Sequence, residues 1–330
     1  MSRICTASIL VLASAFEFRF DLSIGTRASP LAIKQAELVE AALSLTAPGT
    51  MTRLVSFSSG GDADLQAAPL AKAGVRFTTE IDAAVLGRAV DIGVHSLKDI
   101  PPQHRWTTGL TIGCHLPRAS PLDVLIGSTS LDMLSAGARV GTASIRRHAQ
   151  LKAARPDLEI VNVRGSVEAR LDMLDTGHVQ ALVLAKAGLE RLGLHDRAVS
   201  ELPPGVMLPG VGQGIICAVC RDDADALRLL RAADDPDAHL AATAERAFLN
   251  VIDAMSPWEG RPPLGALMAR SQDGSSWGFH GLVAQPDGSR VVRVERSALA
   301  AECGLGDAAA FGKEAAEELL AHAGADFLHH

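Results

Sequence analysis

The chain has 330 residues, with 31 Lys and Arg against 38 Asp and Glu, a formal net charge of −7, and 48% hydrophobic residues. That length exceeds one comfortable core and points to two or three domains. The acidic balance excludes a general nucleic-acid binder, which needs a basic surplus to neutralise phosphates. With no Tyr and only 4% aromatics, base-stacking platforms are excluded as well.

Read in chain order, Ala7 to Phe16 form a short apolar stretch behind Arg3. It is a weak likeness of a signal peptide, so residues 1–19 read as an N-terminal extension of a cytoplasmic chain. No run reaches membrane-spanning length. Strand and helix signals then alternate. Phe20–Thr26 reads as a strand and Pro30–Leu43 as a helix, with Ser29 as N-cap and Pro30 at the first helical position. A strand at Leu54–Phe57, a helix near Thr79–Leu86 and a strand at Asp91–Ser96 follow. A second run has strands near Val124–Gly127 and Arg139–Thr142, a helix over Ile145–Ala154 and a strand at Glu159–Val163. A helix over Val167–Leu174 and a strand at Ala181–Leu184 complete it. This alternation predicts mainly parallel sheets covered by helices, with ligands at the carboxyl ends of strands. The last third changes character. It has a helix over Asp237–Ile252, a loop at Pro257–Pro263, strands flanking Pro286-Asp287-Gly288, and a final helix from Asp307 to Ala323. This predicts a small α+β domain.

Four segments bring charge to the places where strands hand over to helices or loops. They are Gly25–Ser29 (GTRAS), His95–Pro101 (HSLKDIP), Gly141–Arg147 (GTASIRR) and Arg164–Arg170 (RGSVEAR). Hydroxyls, backbone N–H groups and guanidiniums at helix starts are what a carboxylate or phosphate ligand needs. A single arginine there reads as a surface salt bridge. Arg27, Arg146, Arg147, Arg164 and Arg170 together read as a polyanion site. Asp99 is either a turn residue ahead of Ile100-Pro101 or a lone carboxylate among cations, able to steady a positive intermediate. The five cysteines, Cys5, Cys114, Cys217, Cys220 and Cys303, suggest neither a disulfide framework nor a metal centre. Cys217-x-x-Cys220 has no partner at zinc-like spacing and reads as strand core. The run Gly210–Gly214 precedes a strand instead of opening a helix, which excludes a dinucleotide fingerprint.

The runs GTRASPLAIKQ (Gly25–Gln35), DIGVHSLKDIP (Asp91–Pro101), GTASIRR, RPDL (Arg155–Leu158), Arg164–Leu171, AGLERLG (Ala187–Gly193), LPGVGQG (Leu208–Gly214) and TAERAFL (Thr243–Leu249) resemble the porphobilinogen deaminase family, over about residues 20–250. The resemblance implies two periplasmic-binding-protein-like α/β domains around a central cleft plus a small C-terminal α+β domain. The expected bounds are 20–114 with 215–232, then 120–208, then 237–330. It implies a transferase that joins porphobilinogen units head to tail with release of ammonia, in tetrapyrrole (haem) biosynthesis. Asp99 would assist loss of ammonia and steady the cationic intermediate. Arg27, Arg146, Arg147, Arg164, Arg170 and Arg191 would hold acetate and propionate groups. Ser29, Lys72, Ser96, Lys98, Thr142 and Ser144 would add donors, and Gln213 would lie where the first two domains cross. The expected partners are porphobilinogen and linear polypyrroles, without nucleic acid or membrane. The expected state is a monomer with no metal.

The resemblance also implies a dipyrromethane cofactor, held in the family by a cysteine in a run like L-E-G-G-C-x-x-P-I-G. Here the corresponding stretch, Ile252–Gly265, reads IDAMSPWEGRPPLG and has no Cys. The third-domain loop within it, Ala254 to Pro263, therefore offers no thiol, and the expectation for covalent attachment is none. The lid-like run Pro69–Phe77 is two residues short, keeping Lys72 and offering Arg76 for a missing lysine. The alternative to the enzyme is a non-catalytic or altered-substrate paralog that binds porphobilinogen or linear tetrapyrroles. A periplasmic-type anion receptor is a third class, weakened by the poor signal peptide.

Overall fold

A computed structural model describes residues 21–57, 78–222, 225–256, 262–300, 303–324 and 327–329. The extension 1–19, Lys72 and the lid-like run lie outside the described residues.

The first α/β unit is built from β1 (Asp21–Arg27), α1 (Pro30–Thr46), β2 (Met51–Phe57), α2 (Thr79–Leu86), β3 (Ile92–Ser96) and β4 (Leu110–His115). The second contains β5 (Asp123–Ile126), β6 (Arg139–Gly141), α3 (Ile145–Ala154), β7 (Glu159–Val161), α4 (Val167–Asp175), β8 (Ala181–Ala185), α5 (Lys186–Arg191) and β9 (Ser200–Leu202). The chain then returns to the first unit with β10 (Ile216–Arg221) and α6 (Asp225–Ala232). The sheets run β2-β1-β3-β10-β4 and β7-β6-β8-β5-β9.

In each sheet four strands run the same way, in keeping with the mainly parallel sheets expected, and one strand runs against them. β10 is antiparallel to β3 and β4, and β5 is antiparallel to β8 and β9. The reason is connectivity. β5 and β10 are the strands by which the chain enters each unit from the other, so they run against strands made by β-to-α hand-overs. β10 is covered on both faces, and Ile216–Cys220 are all buried among two apolar clusters. That accounts for its continuous apolar run.

The third unit is an antiparallel meander, β11 (Leu264–Arg270), β12 (Ser276–Ala284) and β13 (Val291–Leu299). Two helices, α7 (Pro236–Met255) and α8 (Leu305–Ala323), complete it. Phe248, Phe279, Leu319 and Ile252 are its buried centre. The loop expected from Ala254 onward begins later than that. Ala254 and Met255 form the exposed last turn of α7. The helix stops at Ser256, whose backbone is extended (ψ 124°), as the residue ahead of a proline prefers. Residues 257–261 lie outside the described residues, and Pro262 and Pro263 lead directly into β11.

Between the first two units the chain crosses twice, and Gly214 sits at the crossing with φ +91°. A Cβ there would fall 2.4 Å from the Ala119 carbonyl oxygen, so only glycine lets the two segments pass backbone against backbone. No helix among the described residues is long and apolar enough to cross a membrane.

Candidate functional site

A cleft of about 790 Å³ opens between the two α/β units and touches the third. Its walls are the strand-end segments singled out above, because in a mixed α/β sheet the helix starts gather at one edge. Three helices present serine-capped N-termini to it. Ser29 accepts the Ala32 amide of α1, Ser144 the Arg147 amide of α3, and Ser166 the Ala169 amide of α4. The caps use the hydroxyl oxygens and leave the hydroxyl protons able to donate outward. Ser96 is held by Gln35, whose Nε2 donates to its Oγ at 2.8 Å.

The structure brings Arg27, Ser29, Ser96, Lys98, Asp99, Ser144, Arg146, Arg164, Arg170, Arg191 and Gln213 into the lining. Thr142 and Arg147 are not part of it. Thr142 is buried and its Oγ1 accepts the Ser144 amide. Arg147 points inward: it donates to Asp123 Oδ1 at 2.7 Å and to the Val183 carbonyl at 2.9 Å. Arg146 reaches the cleft wall but is bound the same way, to Asp123 Oδ2 at 2.8 Å and to the Leu208 carbonyl at 2.5 Å. Gln213 completes the cluster, donating to Asp123 Oδ1 at 2.8 Å and to the Pro121 carbonyl at 2.7 Å. Asp123 is therefore a fully buried carboxylate holding two guanidiniums, and they hold its carboxyl well below the ordinary range despite burial.

The other cations of the lining crowd one another. Arg170 is pulled down to about 10 by burial and then by Arg147 and Arg164, with Asp99 acting the other way. Burial also lowers Arg164 and Arg191. Lys98 is brought down to about 8, chiefly by burial, with Asp99 opposing and Arg147 and Arg146 assisting. The cleft thus holds dense positive charge around Asp99, an arrangement that a ligand with several carboxylates would relieve.

Sequence reasoning passed over the residues that hold this arrangement in place. The half-buried Arg118 pairs with the fully buried Glu245 at 2.5 Å, and Glu245 also accepts the amides of Gly212 at 2.7 Å and Met268 at 2.8 Å. That carboxylate ties α7 to the crossing and to β11. Further along α7, Arg246 donates to the Ile100 and Pro101 carbonyls, and Asp253 pairs with Arg105 at 2.7 Å and His104 at 3.1 Å. The loop that carries Asp99 is therefore clamped by the third unit. The available signal was the presence of acids inside otherwise apolar runs, such as Asp123 ahead of Val124-Leu125-Ile126, since a buried acid must find cations.

The donors suit the carboxylates of a dipyrromethane, but the described cysteines do not suit its thioether. The stretch Ala254 to Pro263 contains no Cys, and of it only Pro262 lines the cleft among the described residues. Cys114, Cys217 and Cys220 are buried in the first sheet, and Cys303 packs against the third core. None of them lines the cleft. Burial pushes the Cys114 thiol up to about 12 and raises Cys217 and Cys303, so none is a ready nucleophile.

Among solved structures, the chain is similar to the methionine binding protein MetQ (14% identity, 64% of this chain and 89% of that one, TM-score 0.44). It is also similar to a periplasmic substrate-binding protein of an ABC transporter from Coxiella burnetii (16%, 64% and 91%, 0.42). A nutrient binding protein from Burkholderia cenocepacia bound to methionine is a further match (14%, 66% and 93%, 0.41). The sequence profile described as "Porphobilinogen deaminase, dipyromethane cofactor binding domain" matches residues 22–228, more than half of the chain. With that match, this chain belongs to the porphobilinogen deaminase family.

Proposed function

We propose that the chain is a cytoplasmic transferase of the hydroxymethylbilane synthase kind, which joins porphobilinogen units head to tail with release of ammonia. One observation supports this above others: Asp99 shares a single cleft with Arg27, Lys98, Arg164, Arg170 and Arg191. The arginines and Lys98 take the acetate and propionate groups, each charge-assisted bond contributing about 1.5–3 kcal/mol to placing the ring. The carbon–nitrogen bond of the aminomethyl group then breaks. Its electron pair stays on nitrogen, which leaves as ammonia once protonated. The positive charge left on the pyrrole and its methylene is opposed by Asp99. A carbon–carbon bond forms to the free α-carbon of the next pyrrole, and that carbon gives up its proton.

Asp99→Asn keeps the shape and removes the charge. Turnover of porphobilinogen, followed as ammonia released, falls by about 10²–10³ while calorimetric binding persists. Turnover equal to that of the parent would remove Asp99 from the reaction. A second reading, a binder of porphobilinogen or linear tetrapyrroles without turnover, is favoured by the lack of a lining cysteine among the described residues. It predicts binding without ammonia in both proteins.

A further inference from the structure

Away from the cleft, His115, Asp234 and His239 meet at the junction of β4 and α7, and none of the three lines the cleft. His115 ends β4, and its main chain is fixed. Its amide donates to Asp234 Oδ1 at 2.6 Å, and its carbonyl accepts the Asp235 amide at 2.8 Å. His239 stands on the first turn of α7, which Asp235 caps and Pro236 opens. The two Nδ1 atoms lie 3.0 and 2.5 Å from the two oxygens of the Asp234 carboxylate. The two rings are 4.7 Å apart between centroids. One ligand atom from each residue falls within 4.8 Å of the others. Side-chain exposure rises from 6% at His115 through 17% at Asp234 to 36% at His239, so the group is closed on one side and open on the other.

We propose that His115, Asp234 and His239 bind a divalent ion of the zinc class through two imidazole nitrogens and one carboxylate oxygen, with water in the remaining position. Imidazole and carboxylate together suit this class and are a poor set for calcium or magnesium. Zinc bonds of about 2.0–2.2 Å require the ligand atoms to part slightly, which His239, the most exposed of the three, can do. Each imidazole binds through Nδ1 with its proton on Nε2. No cysteine takes part, and the ligands are spread between residues 115 and 239, which is why spacing in the sequence indicated no metal. The ion clasps the end of β4 to the start of the helix whose later residues, Glu245, Arg246 and Asp253, hold the crossing and the Asp99 loop. This inference stands apart from the reaction proposed above.

The test uses the full chain, stripped with chelator and desalted, then titrated with zinc chloride in a calorimeter and with cobalt chloride in a spectrophotometer. The expected result is one equivalent of zinc, visible cobalt bands, and a Tm raised by about 3 °C or more with zinc in excess. His239→Ala and Asp234→Asn each weaken binding more than about tenfold and abolish the shift. His239→Gln, at the most exposed position, keeps a polar partner for Asp234 and serves if His239→Ala unfolds. Equal zinc binding by parent and folded variants, from scattered surface histidines, overturns the site. A parent chain with no zinc-dependent shift in Tm overturns it too.

Discussion

Asp123 carries two guanidiniums and a glutamine amide on two oxygens, all out of water. Replacing it with Asn leaves Arg146 and Arg147 buried without their counter-charge, an error that costs about 3–5 kcal/mol in comparable buried pairs. Denaturant unfolding of Asp123→Asn is expected to show that loss. Arg146→Leu and Arg147→Leu each take a guanidinium from the buried Asp123 carboxylate and lose stability by the same logic; a parent-like midpoint for all three variants would refute the arrangement. Lys98 gives a prediction in pH. Its folded value of about 8 lies below the ordinary 10.5. Between these values the unfolded chain binds more protons, so this group makes folding stability rise with pH across that window. Carboxylate binding runs the other way, because the ligand needs the ammonium. Affinity for a carboxylated pyrrole falls by up to about tenfold per pH unit above pH 8, and Lys98→Arg removes the fall. A pH-independent affinity in the parent would count against Lys98 as a donor. Legibility in the sequence followed chemistry. Ser29, Ser144 and Ser166 stand at helix starts, where local rules apply, and the arginines beside them could be read with them. Which arginines face the cleft could not be read, because that depends on Asp123, more than twenty residues away and inside an apolar strand.

At the scale of elements, α7 is the member that connects all three units. It meets the crossing through Glu245 and the Asp99 loop through Arg246 and Asp253. Asp253→Asn removes the charge that holds Arg105 and His104, a loss of about 1–3 kcal/mol. The expected signature is faster hydrogen exchange across Leu97–Trp106, with the second unit unchanged. Protection identical to the parent's would show that the clamp does not restrain the loop. The helices α1, α3, α4 and α7 lie within a few residues of where capping and periodicity put them. The far end of α7 is one such difference, since Ala254 and Met255 continue the helix until Pro257 forbids it. β4, β9 and β11 escaped notice because their patterns are poor. β4 contains Gly113, which Leu230 packs against, β9 has three residues, and β11 begins just after Pro262-Pro263. The reversed strand in each sheet escaped too, since local alternation says nothing about the direction in which a returning strand enters.

For the whole molecule, family membership and described cysteines unsuited to a thioether lead to one measurement. Protein purified from cells able to make porphobilinogen is expected to have, under denaturing conditions, the mass of its polypeptide alone. A mass increase of two pyrrole units would mean a covalent primer after all, and peptide mapping would locate its cysteine. A noncovalent primer forgoes the effective concentration that a tether gives, so the crowded cations of the cleft would have to hold it instead.

The return of β10 to the middle of the first sheet has a consequence for biosynthesis. As the chain leaves the ribosome, β3 and β4 are made long before residue 216, and each waits with an unpaired edge for the strand that will lie between them. The second unit, complete by β9, needs nothing that comes later in its own sheet. The order of synthesis and the order of folding therefore differ: the inserted unit can close first, and the unit that began the chain closes around it afterwards. During that interval the exposed edges of β3 and β4 are open to pairing with other nascent chains. Vulnerability to misassembly is thus concentrated in the first unit and ends when Ile216–Arg221 emerges.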